Sequence, residues 1–113
     1  MWSCIFKFTK KIEFSINSKL EKIGNFAFED SEIENFSIPP KVTQIGEGSF
    51  KMTKSLKNIE IMEGNCHFCS IENNNFIVSK SDPKSDNFDS IIFVNRDIEE
   101  ANIPSNIKRI ECY

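Results

Sequence analysis

The stretch Phe36-Ser37-Ile38-Pro39-Pro40-Lys41-Val42-Thr43-Gln44-Ile45-Gly46 restates, about 22 residues further along, the stretch Phe14-Ser15-Ile16-Asn17-Ser18-Lys19-Leu20-Glu21-Lys22-Ile23-Gly24. The two agree in residue type at nearly every position, and an offset of this size marks a structural repeat. The match runs on past each glycine, with Asn25-Phe26-Ala27-Phe28 against Glu47-Gly48-Ser49-Phe50. Ile33-Glu34-Asn35-Phe36-Ser37-Ile38 then realigns with Leu56-Lys57-Asn58-Ile59-Glu60-Ile61. A further, partial copy runs from Ile98 through Ala101-Asn102-Ile103-Pro104 to Ile107-Lys108-Arg109-Ile110.

Each unit alternates apolar and polar residues over its first half, the pattern of a strand with one buried side. A proline at the end of that strand cannot donate to a ladder, and the following glycine permits a turn. The pairs Ala27-Phe28 and Ser49-Phe50 are expected to point inward and fill the space between successive units. One unit cannot bury its apolar edge alone, so neighbours must stack.

At these residues the chain resembles the BspA-like (Treponema-type) leucine-rich repeats found in surface proteins of bacteria and parasitic protists. The resemblance rests on the doubled I-P…V-x-x-I-G-x-x-(A/S)-F pattern and covers Phe14 to Ile61 and Ile98 to Ile110. It implies a curved solenoid used in adhesion or protein binding, at the cell surface or secreted. The family often has a cysteine shortly after the phenylalanine; this chain has Ser31 and Thr53 there. The expected fold is mainly β, a short leucine-rich-repeat solenoid of about four coils with one irregular, hairpin-containing coil. A single domain, 1–113, is expected, with repeats at about 12–33 and 34–56, an irregular one at 57–97 and a partial one at 98–113.

Between Asn65 and Asp97 the period is lost. Two β-rich runs, Phe76-Ile77-Val78-Ser79 and Ile91-Ile92-Phe93-Val94, flank the polar stretch from Lys80 to Ser90, where Asp82-Pro83 and Asp86-Asn87 supply turn chemistry. This predicts a hairpin inserted in the array.

The net charge of −3, with lysines interleaved among acids, argues against nucleic acid as a partner, because neutralising phosphates needs a basic stripe. Lys7, Lys10 and Lys11 break the apolar start Met1-Trp2-Ser3-Cys4-Ile5-Phe6 before a leader core forms. No run approaches the ~20 apolar residues that cross a bilayer, so membrane insertion is not expected.

Cys66-His67-Phe68-Cys69 is the motif with reactive character, since a C-x-x-C pair chelates zinc or cycles as a dithiol. Zinc needs a second ligand pair, the chain has one histidine, and Cys4 and Cys112 lie at no ligand-like spacing. Small buried thiols are the plainer reading. Disulfides would form only in an oxidising compartment, with a pairing the sequence does not give. There is no G-x-S-x-G elbow and no phosphate-cradling glycine loop, so neither an enzyme nor a cofactor is expected.

The binding candidates are the side chains that project from the strands between buried positions. In repeat order these are Glu13 and Ser15; Glu34, Asn35 and Ser37; Lys57, Asn58 and Glu60; Glu99, Glu100 and Asn102. They predict a polar, mildly acidic face for a protein partner or a host or cell-surface ligand. Asn35-Phe36-Ser37 also matches a glycosylation acceptor, and a glycan there would cover that face. The last copy reaches Ile110-Glu111-Cys112-Tyr113 where the repeat would place Gly-x-x-Ala-Phe. An open end of this kind exposes apolar surface, which predicts a piece of a longer array or self-association through the C-terminal end. Two other readings stand beside the interaction module: a metal or redox protein built on Cys66 and Cys69, and a degenerate repeat fragment without a binding role.

Overall fold

In the computed structural model, which describes residues 8–72, 75–82, 84–95 and 98–111, the repeat becomes a set of short strands with no helix among the described residues. In chain order these are β1 (Lys22–Ile23), β2 (Asn35–Ile38), β3 (Gln44–Ile45), β4 (Asn58–Ile61), β5 (Phe68–Ile71), β6 (Phe76–Ser79), β7 (Ser90–Val94) and β8 (Arg109–Ile110). β1 pairs with β3 and β2 with β4, both in parallel. Ile23 stands opposite Ile45 and Phe36 opposite Ile59, so the registers are the offsets read from the sequence. The second copy thus contributes twice, a four-residue strand and, past Pro39-Pro40, a two-residue strand; in the first copy the counterparts are the isolated bridge at Lys11 and the two-residue β1. β2 stops at Ile38 because Pro39 has no N–H to extend the ladder.

A third stacked feature follows the short strand. In the first copy Ala27 N–H bonds to Gly24 O and Ser31 N–H to Phe28 O; in the second, Ser49 N–H bonds to Gly46 O and Thr53 N–H to Phe50 O. The third residue of each of these turns has a positive φ: Phe26 (59°), Asp30 (60°), Gly48 (68°) and Met52 (58°). That is the signature of a type II turn, and a side chain held there costs of order 1–3 kcal/mol. The backbone bonds that stack the two sets, from Phe26, Phe28 and Asp30 N–H to Glu47, Ser49 and Lys51 O at 3.0, 2.9 and 2.9 Å, hold it in place. The Phe26 ring lies where a Cβ on Gly48 would be, which fixes glycine at that position in the second copy.

Gly24 and Gly46 differ from expectation. Neither has a positive φ, so neither is needed for turn conformation. Gly46 is required for close approach, since a Cβ there would overlap Asn25, whose Oδ1 accepts the Glu47 N–H at 2.9 Å.

The inward side chains form one main core. Phe28 and Phe50, equivalent in the two copies, stack with centroids 5.7 Å apart and planes 10° apart. Phe36 lies 5.0 and 5.2 Å from them and 5.7 Å from Phe14. Phe50 reaches Phe93 at 6.4 Å, which joins the repeats to the region where the sequence period fades. Ser31 and Thr53, where the family often has cysteine, are buried; Thr53 Oγ1 donates to Phe50 O, while Ser31 Oγ has no hydrogen-bond partner among the described residues.

That irregular region holds the predicted hairpin and more. β6 and β7 are antiparallel as expected, but β5 pairs antiparallel with the other edge of β6, and the sheet order is β5-β6-β7-β8. Phe68-Cys69-Ser70-Ile71 was not expected as a strand, because it shares neither the repeat pattern nor a long apolar run. Asn65 ties it to the preceding repeat: its Nδ2 donates to Pro39 O and Val42 O at 2.9 and 3.0 Å, and its Oδ1 accepts the His67 and Phe68 N–H. Ile92 is an extra residue in β7, since Val78 pairs with Ile91 and Ile77 with Phe93. The bulge turns Ile92 and Phe93 to the main core and leaves Ile91 with Phe76 and Val78 in a second cluster, covered by Phe88, Ile98 and Ile107.

β8 returns to the repeat pattern. Thr43 and Gln44 N–H bond to Glu21 O at 2.8 and 3.4 Å and Gly46 N–H to Ile23 O at 2.7 Å; Lys108 and Arg109 N–H bond to Asp89 O at 2.7 and 3.2 Å and Glu111 N–H to Ile91 O at 2.7 Å. β7 therefore stands to β8 as β1 stands to β3, and β6 is a strand wedged into the array.

Asp89 is the fastener of this junction. It is buried, and its carboxylate accepts the Ser81 N–H at 2.8 Å and the Ser81 hydroxyl at 2.6 Å. The Ser81 hydroxyl, then the Ser81 N–H and the nearby Lys108, lower its pKa below the ordinary 3.8. A depressed carboxylate stabilises the fold fully above its unfolded pKa, about 3.9, and loses that contribution as pH falls through the folded value. Asp89→Asn is expected to lower the thermal midpoint at pH 7 and to shrink the difference between midpoints at pH 7 and pH 3. Equal acid sensitivity in wild type and variant would contradict the assignment.

Candidate functional site

β2 and β4 bury Phe36, Ile38 and Ile59 and turn Asn35, Ser37, Asn58 and Glu60 outward, as alternation along a strand requires. Register places Asn35 beside Asn58 and Ser37 beside Glu60. A bridge of Lys11 to Asn35 extends the asparagine line, and Glu13, two positions on and exposed, lines the same groove as Ser37. The outward side chains thus form two lines, Lys11-Asn35-Asn58 and Glu13-Ser37-Glu60.

Contacts within the face are local. Lys11 Nζ lies 2.8 Å from Glu13 Oε1, and Asn58 Nδ2 donates to Glu60 Oε1 at 3.2 Å. The hydrogen bond and charge of Glu13 raise the Lys11 pKa, and those of Lys11 lower the Glu13 pKa. Both side chains are about three-quarters exposed, so water screens the pair and it adds little to stability. Glu34 and Lys57 are exposed just ahead of the two strands, where Lys57 N–H bonds to Glu34 O at 2.9 Å. A shallow groove bordered by Lys10, Glu13, Phe14, Asn35, Ser37 and Met62 runs along the N-terminal side of the face.

Two expected members stand elsewhere. Ser15 belongs to a turn, its Oγ accepting the Asn17 N–H at 3.1 Å and its carbonyl the Ser18 N–H at 2.9 Å. The first copy carries two more residues between its paired strand and β1 than the second carries between β2 and β3, so the first row slides by two positions. A slide of two keeps the same side of the strand outward, which leaves Glu13 on the face and brings in Lys11. Glu99, Glu100 and Asn102 are exposed on a segment without a strand, and no pairing joins them to β4 among the described residues. The repeat pattern begins at Phe14, past Lys11, and carries no signal that would place Lys11 on the face.

Cys66 is exposed, with its Sγ 3.8 Å from His67 Nδ1, and Cys69 on β5 packs against the second cluster with its Sγ toward Ser70 O. No group of three or more His, Cys, Asp or Glu is placed to hold a metal among the described residues. Cys4 and Cys112 lie outside them. A ligand held only by the folded state at about 100 times its Kd adds about 2.7 kcal/mol of stability. Zinc added to the reduced chain is expected to produce no such gain, and a stoichiometric zinc complex with a raised Tm would make Cys66, His67 and Cys69 a metal site after all.

Parallel strands stacked one repeat apart, with recurring turns and an inward ladder of Ile, Val and Phe, define a leucine-rich-repeat protein of mainly-β type. The family model described as BspA type leucine rich repeat region (6 copies) matches residues 3–113, and the chain belongs to that family. The match extends across the region of β5 to β7, in agreement with the parallel register that returns at β8. No curated protein and no solved structure matches the chain. The repeat family points to a protein-interaction module, and among the described residues no helix is long and apolar enough to cross a membrane.

Proposed function

We propose that this chain is a non-catalytic interaction module: a single domain, 1–113, wound as a short solenoid of about four coils, that docks a protein partner on the polar face of β2 and β4. The observation that carries the reading is the register of that face. Lys11, Asn35 and Asn58 form one line and Glu13, Ser37 and Glu60 the next, over a floor of fully buried Phe36 and Ile38. Amides and carboxylates in such lines offer donors and acceptors at the spacing of adjacent strands, about 4.8 Å, on a backbone already fixed by its ladder. Preorganisation of this kind lowers the entropic cost of binding. The partner fitted by it presents complementary hydrogen-bonding and basic groups. Adhesion to a protein or other ligand at the cell surface, or of a secreted chain, is the specific role proposed, in keeping with the family's frequent surface association. Glu34 and Lys57 border the same surface, and Glu99, Glu100 and Asn102 are proposed as peripheral contacts.

The double substitution Asn58→Lys and Glu60→Lys changes the two outward-facing groups on β4, half-buried Asn58 and exposed Glu60, without touching the core. Partners captured by the wild-type chain are expected to bind the variant at least about tenfold more weakly, a loss of about 1.4 kcal/mol or more. The thermal midpoint should stay unchanged, as should binding by a control carrying Asp86→Lys, an exposed residue outside the proposed contacts. Undiminished binding by the double variant would overturn the assignment of this face, and so would the absence of any specific partner.

A further inference from the structure

The β1–β3 ladder ends at β3. Gln44 and Gly46 donate their N–H groups back to Glu21 O and Ile23 O of the preceding repeat. In a parallel ladder the residue between two such donors turns its own N–H and C=O the other way. Ile45 therefore offers one donor and one acceptor on the far edge of β3, and no backbone or side-chain group among the described residues engages them. The chain that would supply the next row, Cys66 to Phe68, does not pair with β3. Asn65 pins its N–H groups, and β5 then pairs with β6.

A groove fills the vacated row, floored by Ile45, Phe68 and Ile92. It continues at Thr43, Cys66 and His67 into a second groove beside Pro40. Four lysines, Lys19, Lys22, Lys41 and Lys80, border the two grooves against two glutamates, Glu21 and Glu47. This is a net positive channel on a chain whose own charge is −3.

We propose that the open edge of β3 is a strand-addition site for an extended acidic segment of a partner protein, distinct from the polar face of β2 and β4. The Ile45 N–H and C=O bond to the backbone of the added strand, whose alternate apolar side chains pack on Phe68 and Ile92 while its carboxylates face the lysines. Strand addition draws affinity from main-chain bonds and selectivity from alternate side chains, and here the selectivity is for negative charge. The site stands independently of the proposed interaction face: it uses the second strand of the repeat, and none of its residues belongs to the lines at β2 and β4.

The test uses the full chain and two synthetic peptides, an alternating Glu-Val octamer and its Lys-Val counterpart, with binding read by fluorescence anisotropy and amide exchange read by NMR. The Glu-Val peptide is expected to bind, to weaken as salt rises, and to slow exchange of the Ile45 amide by at least about tenfold. Binding should fall at least about tenfold in the exposed-residue variant Lys22→Glu/Lys41→Glu with unchanged Tm, and should be unaffected by Asn58→Lys/Glu60→Lys. Equal binding of the two peptides, no binding of the Glu-Val peptide, or an Ile45 amide already exchanging as slowly as that of Gly46 in the free chain would overturn the proposal.

Discussion

The fold depends on one hydrogen-bond pattern, in which a short strand donates its N–H groups to the carbonyls of the equivalent strand one repeat earlier. Gly46 to Ile23 and Glu111 to Ile91, both at 2.7 Å, are two instances from distant parts of the chain. Each is backbone to backbone, so it constrains geometry more than side-chain identity, and that is why repeats of imperfect sequence still stack. The pattern also sets which side chains are interior. Once Ile23 is opposite Ile45 and Phe36 opposite Ile59, the phenylalanines of successive turns must meet, and Phe28 and Phe50 do so as a stacked pair.

The same constraint accounts for the places where the chain departs from its own pattern. Phe26 and Met52 accept a positive φ because the turns on either side are tied together by backbone bonds. β6 enters between β5 and β7 without destroying the array because its two faces are both apolar. Ile77 serves the main core, while Phe76 and Val78 serve the second cluster. The bulge at Ile92 and the Asp89–Ser81 bonds then restore the direction of the chain for β8. The break in the ladder leaves the far edge of β3 without a neighbour among the described residues and opens the groove beside it.

The sequence made the period, the long strands β2 and β4 and the β6–β7 hairpin legible, because each rests on alternation or on an apolar run that a reader can count. The two-residue strands β1, β3 and β8 carry no such signal; Lys22-Ile23 reads as a strand only when Gln44-Ile45 is laid beside it. β5 was hidden because its partner β6 lies next to it in sequence and supplies the pairing that the repeat pattern does not describe. Of the candidate face, Asn35, Ser37, Asn58 and Glu60 followed from alternation alone. Lys11 and the displacement of Ser15 did not, since a two-residue difference in turn length moves a row without altering its polarity. Glu99, Glu100 and Asn102 share the spacing of the earlier rows, but among the described residues the segment that carries them has no strand partner to bring it alongside β4.

The most direct test of this account is the measurement of scalar couplings across individual hydrogen bonds in the isotope-labelled chain. Couplings between the Gly46 nitrogen and the Ile23 carbonyl carbon, and between the Glu111 nitrogen and the Ile91 carbonyl carbon, are the predicted result. Couplings from these nitrogens to other carbonyls, or none at either site under conditions where couplings within the β6–β7 hairpin are seen, would contradict a fold built on parallel stacking of its repeats.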